Sequence, residues 1–523
     1  MIVHFRANER LAYTLDIIVG YHDDRSLKKR LFFRNPGLLP VFERLARPYD
    51  HSCLPFMIIE NNIPHFHLST NQYPGVNTMF TPSLKRRQFL HFLSGATLGT
   101  GLSFTHINRA FPEELEASNE TMKLAREQAL AVLQPTARDL QHGLALHRDA
   151  VVFDAYGFAP RAAVNGDQIK EAVLAGASQQ ELQDLREEMM MTRYVTNASE
   201  KREFLKAWKA SGVTCIFQNA GEEGQSPLRL LKRLARFTYA TDMMPNLEKA
   251  VHPNQVIKAK QQGLSCLYFS GNGVPLTQQW ISVEDELRYL RVFFQLGIRM
   301  MHLTYQRRNM IGDGCAEPAN GGLSDFGRSV IAEMNRVGVI VDVAHCGWQT
   351  SLEAAQLSQK PMVASHTACT ALRHHIRNKP DNIMRAIADT GGYAGMCCIP
   401  SFLGGQGDLA ALLDHIDYLV KHFGADHVAI GTDVAYQSQN ARLENRKVPP
   451  RGRARTPWRS LWPEGSLRYP SKAPQSLAWI NWPLFTVGLV QRGHSDDAIR
   501  KIIGTNVLRV AQEALLAHKP LQQ

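Results

Sequence analysis

The chain has 523 residues, 44% hydrophobic and 20% charged, with a formal net charge of +11. This is the composition of a protein with ample core, and it excludes a disordered or low-complexity chain. The basic balance comes with no nucleic-acid motif and no interleaving of aromatic and basic residues, so a nucleic-acid partner is not expected.

The first feature along the chain is MFTPSLKRRQFLHFLSGATLGTGLSF, which begins at Met79. Lys85, Arg86 and Arg87 make a charged head, and Phe89 to Phe104 an apolar run diluted by small residues. The run falls short of the about 20 strongly apolar residues that cross a membrane. It resembles a twin-arginine export signal, whose cargo crosses a bacterial inner membrane already folded. Residues 1–78 show no sustained period. They are expected to be a mis-assigned or disordered extension, with the precursor beginning at Met79, 79–110 as the signal segment and 111–523 as the functional domain. The expected location is the periplasm, with the membrane met only through the export signal. The eight cysteines contain no CxxC pair, and seven lie beyond the extension, an odd number that argues against a disulfide framework.

Residues 113–134 read as an amphipathic helix preceding the domain. Short apolar, β-branched runs then alternate with helical stretches. The runs are 151–154, 213–217, 264–269, 300–304, 339–342, 361–365, 392–396 and 427–431. Helices are expected at 283–297, 325–338 and 407–424. Eight alternating units predict an α/β fold, a (β/α)8 TIM-like barrel with an extra N-terminal helix. A doubly wound open sheet is the rival, without a glycine-rich dinucleotide loop in its favour. The segment ARLENRKVPPRGRARTPWRS at 441–460 is a basic strip, either a solvated loop or a lid for an acidic ligand.

A barrel places its chemistry where strands end. Those ends carry Asp154, Tyr156, Asn219, Ser270, Tyr305, His345, His366, Cys398 and Asp433. Neutral imidazoles are good ligands for zinc and similar metals, and an aspartate ligates or moves protons.

VGVIVDVAHCGWQT, PMVASHTACTALRHHIRNKPDNIMRAIADTGG and DHVAIGTDVAY resemble the membrane (renal) dipeptidase family. So do GIRMMHLTY, GGLSDFGRSVIAEMNRVG and LFTVGLVQRGHSDDAIRKIIGTNVLRV. The resemblance implies an amidohydrolase-type barrel and hydrolysis of dipeptides by two zinc ions that share a bridging glutamate. It makes His345 and His366 ligands of one metal, Arg377 the grip on a substrate carboxylate, and Asp433 the residue that handles the proton. One branch of the family, the dipeptidase-like proteins of periplasmic pyoverdine maturation, is similar in export signal, mature length and barrel.

The departures from the family pattern fall in the site. Tyr156 and Phe158 stand where the resemblance implies a His-x-Asp metal pair, Ser270 where it implies the bridging glutamate, and Tyr305 where it implies a substrate-facing histidine. At most one divalent metal is therefore expected, zinc by preference, at His345 and His366. Asp154 and Glu222-Glu223 are candidates by position to supplement it. Tyr156, Phe158, Tyr305 and Trp348 are expected to make an aromatic pocket, with Tyr156, Ser270, Tyr305 and Arg377 contacting the ligand. Three functions stay open: a hydrolase with one metal or a rearranged pair, a non-hydrolytic relative that binds or tailors a small peptide, and an interaction protein using the basic strip. A homodimer is one option for its assembly.

Overall fold

The computed structural model describes the backbone of residues 2–5 and 15–18, and residues 115–221, 224–453, 460–466 and 475–515. The export-type segment 79–110, Glu222-Glu223 and residues 454–459 of the basic strip lie outside the described residues. The chain divides into two units, Met1–Phe104 and Thr105–Gln523. In the first, β1 (Ile2–Phe5) pairs antiparallel with β2 (Leu15–Ile18).

The second unit is a nearly closed barrel of parallel strands. In chain order they are β3 (Phe153–Gly157), β4 (Cys215–Asn219), β5 (Leu247–Ala250), β6 (Ser265–Gly271), β7 (Ile298–His302), β8 (Ile340–Asp342), β9 (Val363–Thr367), β10 (Tyr393–Met396) and β11 (Val428–Ile430). The sheet runs β11-β10-β9-β8-β7-β6-β4-β3, with β5 an extra strand beside β6. All eight sequence-predicted strands are present; β5 was not anticipated. The two edges meet where Asp433 donates its backbone N–H to Tyr156 O at 3.0 Å.

The strands are buried on both faces, which is why they read as continuous apolar runs. Their alternate residues sort into two cores. Phe153, Cys215, Phe217, Cys266, Tyr268, Met300, Ile340, Val363, Tyr393 and Ala429 pack together inside, with Val507, Val510 and Ala511 of the last helix. Ile216, Leu267, Met301, Val341, Ala364 and Ile430 join the outer helices in a second cluster.

Helix ends follow local chemistry. Ser324 caps Asp325–Val337 by accepting from Gly327 N, and Gly338, at φ 91°, ends it. The expected N-terminal helix forms at Glu120–Leu133, capped by Asn119. Between β3 and β4 the chain inserts three helices, Gly166–Leu174, Gln179–Thr196 and Ala198–Ser211. The described part of the basic strip packs on this insertion: Lys447 Nζ lies 2.8 Å from Asp167, and Arg451 donates to Ala177 O at 3.2 Å.

Candidate functional site

A cavity of about 360 Å³ opens at the C-terminal ends of the strands. Tyr156, Gln218, Asn219, Tyr305, His345 and Asp433 contribute from the strand ends, and Phe158, Phe402 and Trp462 add aromatic walls. The insertion supplies Arg186 and Glu187. Asp433 follows β11 at φ 56°, a left-handed conformation that costs a non-glycine residue energy and that aspartate tolerates better than most.

His345 and His366 lie side by side, with their Nε2 atoms 2.9 Å apart. Burial, and then the charge of Arg377, hold both well below the ordinary imidazole range, so both are neutral at pH 7. One set of tautomers satisfies the whole chain of contacts. Ser365 Oγ–H donates to His366 Nδ1 at 2.8 Å, and His366 Nε2–H donates to His345 Nε2. His345 Nδ1–H donates to Gln306 Oε1 at 3.1 Å. Rings cover both histidines: Tyr156 stacks on His366 at 4.0 Å between centroids, and Tyr305 on His345 at 4.2 Å.

Other expected site residues are placed elsewhere. Ser270 is fully buried behind the cavity, and its Oγ–H donates to Gln218 O at 3.2 Å. Arg377 is also fully buried and absent from the cavity wall. Its guanidinium donates to Ala344 O, to His366 O at 3.1 Å and to His345 Nε2 at 3.3 Å. Trp348 does not line the cavity; its Nε1–H donates to Asn378 O at 3.0 Å. Asp154 is buried under β11, accepting from Thr432 N at 2.9 Å and Trp479 Nε1 at 3.2 Å. Burial pushes its carboxyl up to about 7.

Two residues escaped the sequence reading. His302 and Asp342 are fully buried, with His302 Nε2 and Asp342 Oδ2 2.6 Å apart. Neither atom has a hydrogen bond of proper alignment. His302 Nδ1 meets Asn272 Oδ1, and Asp342 Oδ1 accepts from Ala344 N at 2.9 Å and Ser365 N at 3.1 Å. Burial pushes the Asp342 carboxyl up, but His302 and Ser365 outweigh it and hold it below its usual value. With His366 they form a three-donor group whose ligand atoms lie within 4.8 Å of one another. The signal was available: His302 stands two residues after Met300 and Asp342 two after Ile340, so both share the interior face.

Residues 141–449 match the pattern of membrane dipeptidases, peptidase family M19. The chain belongs to the membrane dipeptidase family. Dipeptidase tcpJ of Claviceps purpurea is 28% identical over 229 residues, covering 43% of this chain and 46% of that protein. Dipeptidase aclJ of Aspergillus oryzae is 30% identical over 227 residues, covering 42% and 46%. The chain thus spans about half the length of the curated relatives it matches. An amidohydrolase from Pseudomonas aeruginosa shares the fold with a TM-score of 0.51 at 25% identity, over 71% of this chain and 98% of that one. The probable dipeptidase PvdM from the same organism gives 0.49 at 21%, over 73% and 99%.

Membrane dipeptidases depend on metal, which makes donor chemistry the test of the site. A two-metal centre does not fit these residues. Phenylalanine at 158 has no donor atom, the Ser270 hydroxyl is turned onto a backbone carbonyl, and the Arg377 guanidinium stands 3.3 Å from His345 Nε2, where a dication would be repelled. Among the described residues, the donor set that could hold a single ion is His302, Asp342 and His366, two imidazole nitrogens and a carboxylate. Holding it would take a His366 nitrogen from His345 or Ser365.

Proposed function

We propose that this chain is an exported, peptide-binding member of the membrane dipeptidase family in which two-metal dipeptide hydrolysis is weak or lost. The observation that carries the reading is Tyr156, stacked 4.0 Å from His366 at a position where the resemblance implies a metal ligand. The aromatic walls take an apolar or ring-bearing side chain, and about 360 Å³ suits a small peptide. Asp433, in the cavity wall, accepts a hydrogen bond from a peptide amine or amide. A peptide-siderophore precursor is the ligand class suggested by the resemblance to the pyoverdine-maturation branch in export signal and mature length. In a calorimetric titration, aromatic dipeptides should bind and be recovered intact. Absence of binding, or cleavage faster than about 1 per second, the low end of ordinary enzyme turnover, would overturn the reading.

The group of His302, Asp342 and His366 favours a second reading, a hydrolase with one ion. Such an ion would supply Lewis-acid activation of water.

Lys85, Arg86, Arg87 and the apolar run to Phe104 support a periplasmic location reached by the twin-arginine route. Among the described residues, no helix is long and apolar enough to cross a membrane. Replacing Arg86-Arg87 with two lysines is expected to hold the protein in the cytoplasm of a bacterial host on fractionation; unchanged export would refute the route.

A further inference from the structure

The cavity is lopsided in charge. Among the described residues, four arginines line it, Arg161, Arg186, Arg229 and Arg233, against two carboxylates, Glu187 and Asp433. Glu187 is already saturated. It meets Arg229 at 2.9 Å, Arg233 at 2.7 Å and Arg236 at 3.3 Å. Burial pushes its carboxyl up, but Arg233 and Arg229 outweigh that and hold it at about 2. It therefore stays ionised and has no charge left for a further guanidinium.

Arg186 is the decisive member. It is 7% exposed and, among the described residues, bonds only neutral acceptors: Gly452 O from Nε at 3.2 Å and from Nη2, and Asn445 Oδ1 from Nη1 at 3.5 Å. A buried cation facing only dipoles keeps much of its desolvation cost, and an anion arriving beside it offsets that cost. In the wall of the same cavity, Arg161 sits over the Phe158 ring at 4.5 Å. Arg377, which the resemblance makes the carboxylate grip, is absent from the cavity wall and committed to Ala344 O and His366 O.

We propose that the arginine wall of the cavity, centred on Arg186, is a subsite for a carboxylate of the bound peptide, so that the preferred ligands are acidic peptides. This rests on the peptide-binding reading of the same cavity. The planar guanidinium fork matches a carboxylate, and the aromatic wall takes the neighbouring side chain.

The test is a calorimetric comparison of Tyr-Glu with Tyr-Gln, two dipeptides of equal size that differ in one charge. Tyr-Glu is expected to bind about tenfold tighter, the worth of a charge-assisted hydrogen bond. In Arg186→Gln this advantage should shrink to below about twofold. Equal affinities in the unmodified protein would overturn the subsite and leave peptide binding standing. Failure of both peptides to bind would overturn the reading beneath it as well. If Arg186→Gln does not fold by circular dichroism, half-buried Arg161→Gln carries the comparison: a reduced preference supports the subsite and an unaltered one overturns it.

Discussion

Equilibrated with excess zinc and passed through a desalting column, the protein is expected to retain at most one ion per chain. His302→Gln is expected to retain none. Two ions about 3.5–4 Å apart need an anion between them to offset their repulsion. The resemblance implies a glutamate for that role, and Ser270 offers a hydroxyl turned onto Gln218 O. The neighbourhood is cationic already. Arg377 approaches His345 Nε2, and the fully buried Lys379, pushed down to about 8 by burial, bonds Cys346 O and Ser351 Oγ. His302 and Asp342, whose Nε2 and Oδ2 touch without hydrogen-bond alignment, would hold the one ion together with His366. Elemental analysis counts the ions, and cobalt substitution reports nitrogen and oxygen coordination by its visible spectrum. Two retained ions, with dipeptide turnover above about 1 per second, would restore an ordinary dipeptidase.

Glu187→Ala is expected to destabilise the protein by about 3–5 kcal/mol in urea unfolding, the scale for removing one partner from a buried ion network. The Glu187 side chain is 6% exposed and shared by Arg229, Arg233 and Arg236, of which the last two are 10% exposed. These contacts tie the insertion helix Gln179–Thr196 to the helix Pro227–Met243 that follows β4. Truncation would leave guanidiniums buried against one another. A loss under about 1 kcal/mol would put the network in the class of exposed surface pairs. Glu187→Gln keeps the shape and loses the charge, and it should fall between the two.

The barrel was legible because its strands obey local rules. Runs such as Val339–Asp342 and His427–Gly431 centre on residues buried on both faces, and the helix Asp325–Val337 that leads into the first of them carries its own cap, Ser324. The residue types at Tyr156, Phe158 and Ser270, where the resemblance implies metal ligands, were equally legible, since they are a matter of side-chain chemistry at strand ends. The interior face was readable too: counting by twos from Met300 and Ile340 leads to His302 and Asp342.

What the linear order determined, then, was the fold class, the family and the identity of the residues at the barrel mouth. Tertiary structure decided which way those residues face. Arg377 turns inward because the carbonyls of Ala344 and His366 stand at the strand ends beside it. The helical insertion brings Arg186 and Glu187 to the cavity from a segment whose periodicity reveals a helix but not its destination. Helical period and capping act over a few residues, whereas the partner of a buried charge is chosen by packing between segments far apart in the chain. The positive wall of the cavity is therefore a property of the folded molecule, assembled from residues that no local pattern connects.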